Sequence, residues 1–181
     1  MYPCANNAYA FRASYLLEMY WPSRPFYVFI LFMRYKTAQW LNAEGKLDGS
    51  KAVLRKNLSA GEAKPTKPTV IMLTIIVTQT NQLSLPANDA ELNALDAVEE
   101  QVADLFCQTF AAEFALTVTC DGTRDLFFYT AKVPSDNEIE NEMAHLNLTY
   151  DYDFVVQEDA NWDPYEILCP TPENQNTSPT S

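Results

Sequence analysis

Residues 114–130 constrain the fold more than any other stretch of this chain. Phe114, Leu116, Val118 and Cys120 alternate with Ala115, Thr117 and Thr119, and Arg124 to Thr130 forms a second, aromatic run. Between them stands Asp121-Gly122, a residue pair that closes two antiparallel strands with a two-residue loop. The period of two fixes opposite faces for neighbouring side chains, so one strand pair and its turn are defined before anything else is read.

The neighbouring segments supply the rest of a sheet. Thr69 to Thr78 is β-branched and almost continuously apolar, as expected of a central strand buried on both faces. After Pro86, Asn88 and Glu91 form a helix-start signature. Leu92, Leu95, Val98, Val102, Leu105, Phe106 and Thr109 then recur at threes and fours, with Glu99, Glu100 and Asp104 on the other side; the spacing predicts a helix over 89–111. Ser135 and Glu138 predict the cap of a second helix with Ile139, Met143 and Leu146 inward. Tyr150, Tyr152, Phe154 and Val156 alternate as a last strand, followed by a short closing segment at 159–168. Upstream, Tyr35–Leu41 and Lys51–Arg55 read as a further hairpin, its turn over Asn42–Lys46 centred on Gly45.

After that first hairpin the order is strand, helix, strand, strand, helix, strand. This split βαβ pattern predicts an α+β fold of ferredoxin-like type, a mostly antiparallel sheet with both helices on one face. The expected division is a single domain over 33–169, an atypical extension over 1–32 and a disordered tail over 170–181, where Pro, Thr, Ser and Asn replace apolar residues. The extension carries the apolar run Pro25–Met33, about half of the roughly 20 residues a membrane helix needs. Upstream translation with Met33 as the true start, an added strand and an interfacial anchor are its alternative readings.

Charge narrows the function classes. The formal net charge of −12 disfavours direct nucleic-acid binding, which needs clustered Lys and Arg. Residues 34–67 carry a net +5 and residues 68–181 a net −18. The basic entry segment either neutralises the acidic body internally or leaves an acidic face that steers a basic partner. Only four glycines are present, which argues against a Gly-rich phosphate loop. The cysteines at 4, 107, 120 and 169 form no C-x-x-C, so neither a disulfide framework nor a zinc site is expected; reduced thiols in a cytoplasmic protein are.

Four pieces of this chain resemble a known family. Tyr35-Lys-Thr-Ala-Gln-Trp-Leu-Asn-Ala-Glu-Gly-Lys46, Pro86 with the acidic helix after it, Gly122-Thr-Arg-Asp-Leu-Phe-Phe-Tyr-Thr130 and Asp159-x-x-Trp162-x-x-Tyr165 are together similar to the bacterial family catalogued as domain of unknown function 695, over about residues 34–168. The sequence departs from it at Thr74–Thr78, which has no Trp or Tyr, and before Pro86, which lacks a preceding Gly. The resemblance implies a small cytoplasmic bacterial protein whose relatives are sometimes joined to a domain similar to the regulator of ribonuclease activity B, an acidic inhibitor that binds ribonuclease E.

The residues that carry chemistry favour binding over catalysis. His145 is the only histidine and has no Cys or acid orienter beside it, so no triad is expected. Asp151, Asp153, Glu158, Asp159 and Asp163 lack the glycine of a calcium loop, and neither a metal nor a cofactor is implied. Arg124 is nearly alone among acids. Its alternative roles are a salt bridge to Asp125, Asp159 or Asp163 that docks the closing segment, and a clamp for an anion or carboxylate. Trp162 and Tyr165 either staple the C-terminus to the sheet or, with Phe127 and Tyr129, centre a protein interface. The acidic face would comprise Glu99, Glu100, Asp104, Asp151 and Asp153. The preferred function is a non-catalytic acidic module that binds a basic protein. The alternative is a small-ligand or anion-binding domain around Arg124, with hydrolytic activity as an extension of it. A chain starting at Met33 is expected to melt within a few degrees of the full chain by calorimetry; loss of cooperative unfolding would instead make Pro25–Phe32 part of the fold.

Overall fold

A computed structural model describes residues 35–168; the readings of the N-terminal extension and of the tail lie outside them. The elements are β1 (Trp40–Leu47), β2 (Ser50–Asn57), a 3-10 helix (Ala60–Thr66), β3 (Thr69–Ile76), α1 (Asp89–Thr109), β4 (Glu113–Cys120), β5 (Thr123–Thr130), α2 (Asp136–Ala144), β6 (Tyr152–Glu158) and α3 (Asp163–Ile167). The strands form one six-stranded sheet in the order β1-β2-β4-β5-β3-β6, antiparallel at every step. The protein is therefore α+β with an open antiparallel sheet.

Both faces of the sheet are covered, which explains the unbroken apolar text of the central strands. Ile71, Leu73 and Ile75 of β3, with Leu126 and Phe128 of β5, pack against Leu95, Val98, Val102 and Phe106 of α1 and Ile139 and Met143 of α2. Val70, Leu116, Val118, Phe127 and Tyr129 point the other way, toward Ala60 and Ala63 of the 3-10 helix and Trp162 and Tyr165 at the C-terminal end. The β4–β5 hairpin turns at Asp121-Gly122, both with positive φ, as its sequence requires. A bulge at Ala115 shifts the register beyond it.

The first hairpin corrects the expected one. Its turn is Asp48-Gly49, at φ 50° and 89°, and Gly45 lies inside β1 opposite Ala52. Two glycines competed for the turn, and the Asp-Gly pair wins because a two-residue loop needs left-handed backbone at both positions, which Asn, Asp and Gly tolerate. The phase of α1 is also shifted by about one position. Leu92 is exposed, whereas Glu91 and Glu99 are buried with the apolar stripe. Asn88 caps the helix through the Glu91 amide as expected. The Glu91 carboxylate, however, turns to the end of β3, where it accepts from the Thr78 amide at 3.1 Å and the Thr78 hydroxyl at 3.0 Å. The reciprocal Ser135/Glu138 capping box of α2 is present in full.

The closing segment is a staple. Trp162 is fully buried and stacks on Tyr129 at 3.7 Å between centroids, and its indole N–H donates to the Lys67 carbonyl at 2.8 Å. Tyr129 donates to Asp159 at 2.8 Å, and Tyr165 donates to the Asn57 carbonyl at 2.9 Å. Trp162→Ala would leave a large cavity between sheet and α3. It is expected to lower stability by about 3–5 kcal/mol, read as a shift of the urea midpoint; an unchanged midpoint would show that the staple does not support the fold.

Candidate functional site

On the helix-covered side, the sheet and α1 meet through charges rather than apolar side chains at one place. Strand alternation turns Arg124 of β5 toward α1, and the register that pairs Arg55 of β2 with Thr117, and Arg124 with Thr119, points both arginines the same way. Arg124 is 3% exposed. Its Nε donates to Thr119 Oγ1 at 3.1 Å, and its Nη1 donates to Asp96 at 2.7 Å and to Glu99 at 3.3 Å. The second oxygen of Glu99 accepts from Arg55 Nη1 at 2.7 Å. One buried carboxylate thus joins two strands to one helix.

Beside this network lies a cleft of about 440 Å³ between α1 and the β1–β2 hairpin. Trp40 and Phe114 form its aromatic floor, with ring centroids 5.1 Å apart. The Arg55 guanidinium stands 5.2 Å over the Trp40 ring, and the Trp40 indole N–H donates to the Tyr35 carbonyl at 3.1 Å. Tyr35 donates its hydroxyl to Asp104, and Lys36 bridges Glu100 at 2.9 Å and Asp104 at 3.0 Å. Asp96 and Glu100, one turn apart on α1, stand at the rim.

The titrating groups follow their surroundings. Burial pushes the Glu99 carboxyl above its ordinary value, against the pull of the Arg55 and Arg124 charges. Burial, then the bond to Asp104, raises the Tyr35 hydroxyl, and the bonds to Glu100 and Asp104 raise the Lys36 ammonium. The Cys107 thiol is pushed up to about 12 by burial, and Cys120 is raised by the same cause. Neither is an activated nucleophile. His145 is exposed at the end of α2, and among the described residues no group of His, Cys, Asp and Glu is arranged to hold a metal ion. No helix among them is long and apolar enough to cross a membrane.

The structure divides the residues singled out from the sequence. Arg124 pairs with Asp96 and Glu99 rather than with Asp125, Asp159 or Asp163, because successive strand residues face opposite ways; Asp125 instead accepts from Thr74 at 2.7 Å. Phe127, Tyr129, Asp159, Trp162 and Tyr165 come together, all buried, on the far face of the sheet. Of the acidic set, Glu100 is exposed, Asp104 is half-buried and Glu99 is buried, while Asp151 and Asp153 lie exposed at and just before β6. Sequence reasoning missed Arg55, Trp40 and Asp96. A turn placed at Asp48-Gly49 would have set Asn42 against Arg55 and Trp40 diagonal to it, within reach of a long side chain.

The family described as a family of unknown function (DUF695) matches residues 38–169. The chain belongs to this family. No curated protein and no solved structure matches it. The DUF695 match takes in the Trp162 staple and the cleft residues from Trp40 to Phe114, while Tyr35 and Lys36 precede it.

The raised Glu99 value carries a sign. The folded protein holds that proton more tightly than the unfolded chain, so the linked stability is present below the ordinary value of 4.5 and is lost as pH rises through the higher folded value. Relative to Glu99→Gln, the wild type is expected to be most favoured in acid and to lose that advantage above a pH of 4.5, in urea midpoints taken across a pH series. A pH-independent difference would show that the arginines cancel the effect of burial.

Proposed function

We propose that this protein is a non-catalytic small-ligand-binding domain whose site is the cleft between α1 and the β1–β2 hairpin. The observation that carries the reading is the wall of that cleft. Arg55 spends one nitrogen on Glu99 and keeps the rest of its donor fork toward a space large enough for a small molecule, above an aromatic floor. The expected centre, Arg124, is instead the support: buried and bonded through Nε and Nη1, it orients Glu99, which orients Arg55. The aromatic residues that would have centred a protein interface are buried, which counts against that half of the other reading. A ferredoxin-like fold belongs to the same proposal, supported by the order β6-β3-β5-β4, with a helix after β3 and another after β5. So does a cytoplasmic setting, supported by the free thiols of Cys107 and Cys120.

A second reading, an acidic module for a basic protein partner, keeps one specific support. α1 carries Asp89, Glu91, Asp96, Glu99, Glu100 and Asp104, α2 carries Asp136, Glu138, Glu140 and Glu142, and neither helix holds a base. Charge reversal at Glu99 is not a clean probe of it, since that residue is buried between arginines; Glu140 and Glu142, away from the cleft, are.

A thermal-shift panel of anionic, cationic, amphoteric and neutral small molecules distinguishes the two. At least one is expected to raise the melting temperature of the full chain by a few degrees, with the gain lost in Arg55→Gln. If none does, and a captured basic protein associates more slowly with added salt and with Glu140→Lys/Glu142→Lys, the acidic module takes first place.

A further inference from the structure

The cleft's open groups carry opposite charges, and this narrows the ligand. Among the described residues, Arg55 Nε and Nη2 have no protein partner, and the side chain is 34% exposed. On the facing helix, Asp96 engages Arg124 through Oδ1 alone, and Glu100 engages Lys36 through Oε1 alone. Each therefore keeps an oxygen free at the rim, with side chains 49% and 64% exposed. The bonds Arg55–Glu99–Arg124–Asp96 form one continuous chain, so the free donor edge at one end and the free acceptor at the other are held as parts of one assembly.

A ligand bearing only a carboxylate would satisfy Arg55 and lie against Asp96, Glu99 and Glu100. A ligand bearing only an ammonium would satisfy the acids and lie against Arg55 and Lys36. One bearing both satisfies both walls, and the accessible part of the half-buried Trp40, beside the Arg55 guanidinium, is left for an apolar group; Phe114 beneath it is 2% exposed. Resting on the small-ligand reading above, we propose that the cleft binds a free α-amino acid with a large apolar side chain. Its carboxylate takes the Arg55 fork, its ammonium the free oxygens of Asp96 and Glu100, and its side chain the accessible part of Trp40 that Arg55 and Phe114 leave uncovered. No bond is made or broken.

L-Phenylalanine is the probe, with phenethylamine (no carboxylate) and 3-phenylpropionate (no ammonium) as matched controls. They are titrated into the full chain and followed by calorimetry and by amide and indole chemical shifts. L-Phenylalanine is expected to move the Trp40 indole and the amides of 96–100, and to bind about tenfold or more tightly than either control. Arg55→Lys, which keeps the charge but loses the fork, and Asp96→Asn should each weaken it by a similar factor while the far-edge amides of β6 stay in place. Either control binding as tightly as L-phenylalanine at those residues overturns the amphoteric assignment and leaves a small-ligand cleft. No binding of L-phenylalanine at millimolar concentration also overturns it, and the small-ligand reading falls with it only if the wider panel gives nothing.

Discussion

One buried carboxylate, Glu99, ties the helix layer to the β1–β2 end of the sheet. The apolar core is centred on β3 and β5, where α1 and α2 cover Ile71, Leu73, Leu126 and Phe128. The β1–β2 hairpin extends the sheet beyond that patch, on the far side of β4. Its links to the helix side are Trp40 against Phe114 and Arg55 on Glu99. Removing either arginine would leave part of a charge uncompensated in a dry site, which costs far more than an exposed pair is worth. Apolar replacement of such a network is often neutral or stabilising. Stability alone is therefore weak ground for its presence; the network also fixes the Arg55 guanidinium over Trp40.

Most of the architecture was legible locally. Alternation in β4 and β6, the Asp121-Gly122 turn and the Ser135/Glu138 box are each determined within a few residues, so a short window suffices to find them. The failures have two causes. The Asp48-Gly49 turn was itself a local signal, an Asp-Gly pair passed over for Gly45, whereas the burial of Glu91 and Glu99 depended on what lay opposite α1. A helix wheel ranks acids as outward because it has no knowledge of a waiting arginine or of unsatisfied amides at a strand end. The same limit hid the cleft, since Arg55 and Asp96 meet only through Arg124 and Glu99.

The two faces differ in how fully their polar groups are used. The Trp162 side is closed: aromatic rings are stacked, their polar tips are bonded, and Trp162 itself sits at φ 58°, an uncommon backbone state for a bulky residue held there by the stack and the Lys67 carbonyl. The α1 side keeps polar groups half-used at its rim. Arg124 belongs to the α1 side of the sheet although its sequence neighbours Phe127 and Tyr129 belong to the closed one. One strand thus serves both faces because its side chains alternate.

The net charge bears on how such a cleft would discriminate. A free anion approaching a chain of −12 meets repulsion before it reaches Arg55. A free cation is attracted by acids over the whole helix layer, so the cleft must compete with many equivalent exposed carboxylates, each screened within about 8–10 Å at physiological salt. A dipolar molecule without net charge escapes both effects at long range. Its preference is set where donor fork, free carboxylate oxygens and an aromatic ring line one cleft, as they do beside Glu99. Selectivity of this kind is local and weakly salt-dependent, the opposite of what the acidic surface would confer on a basic protein partner.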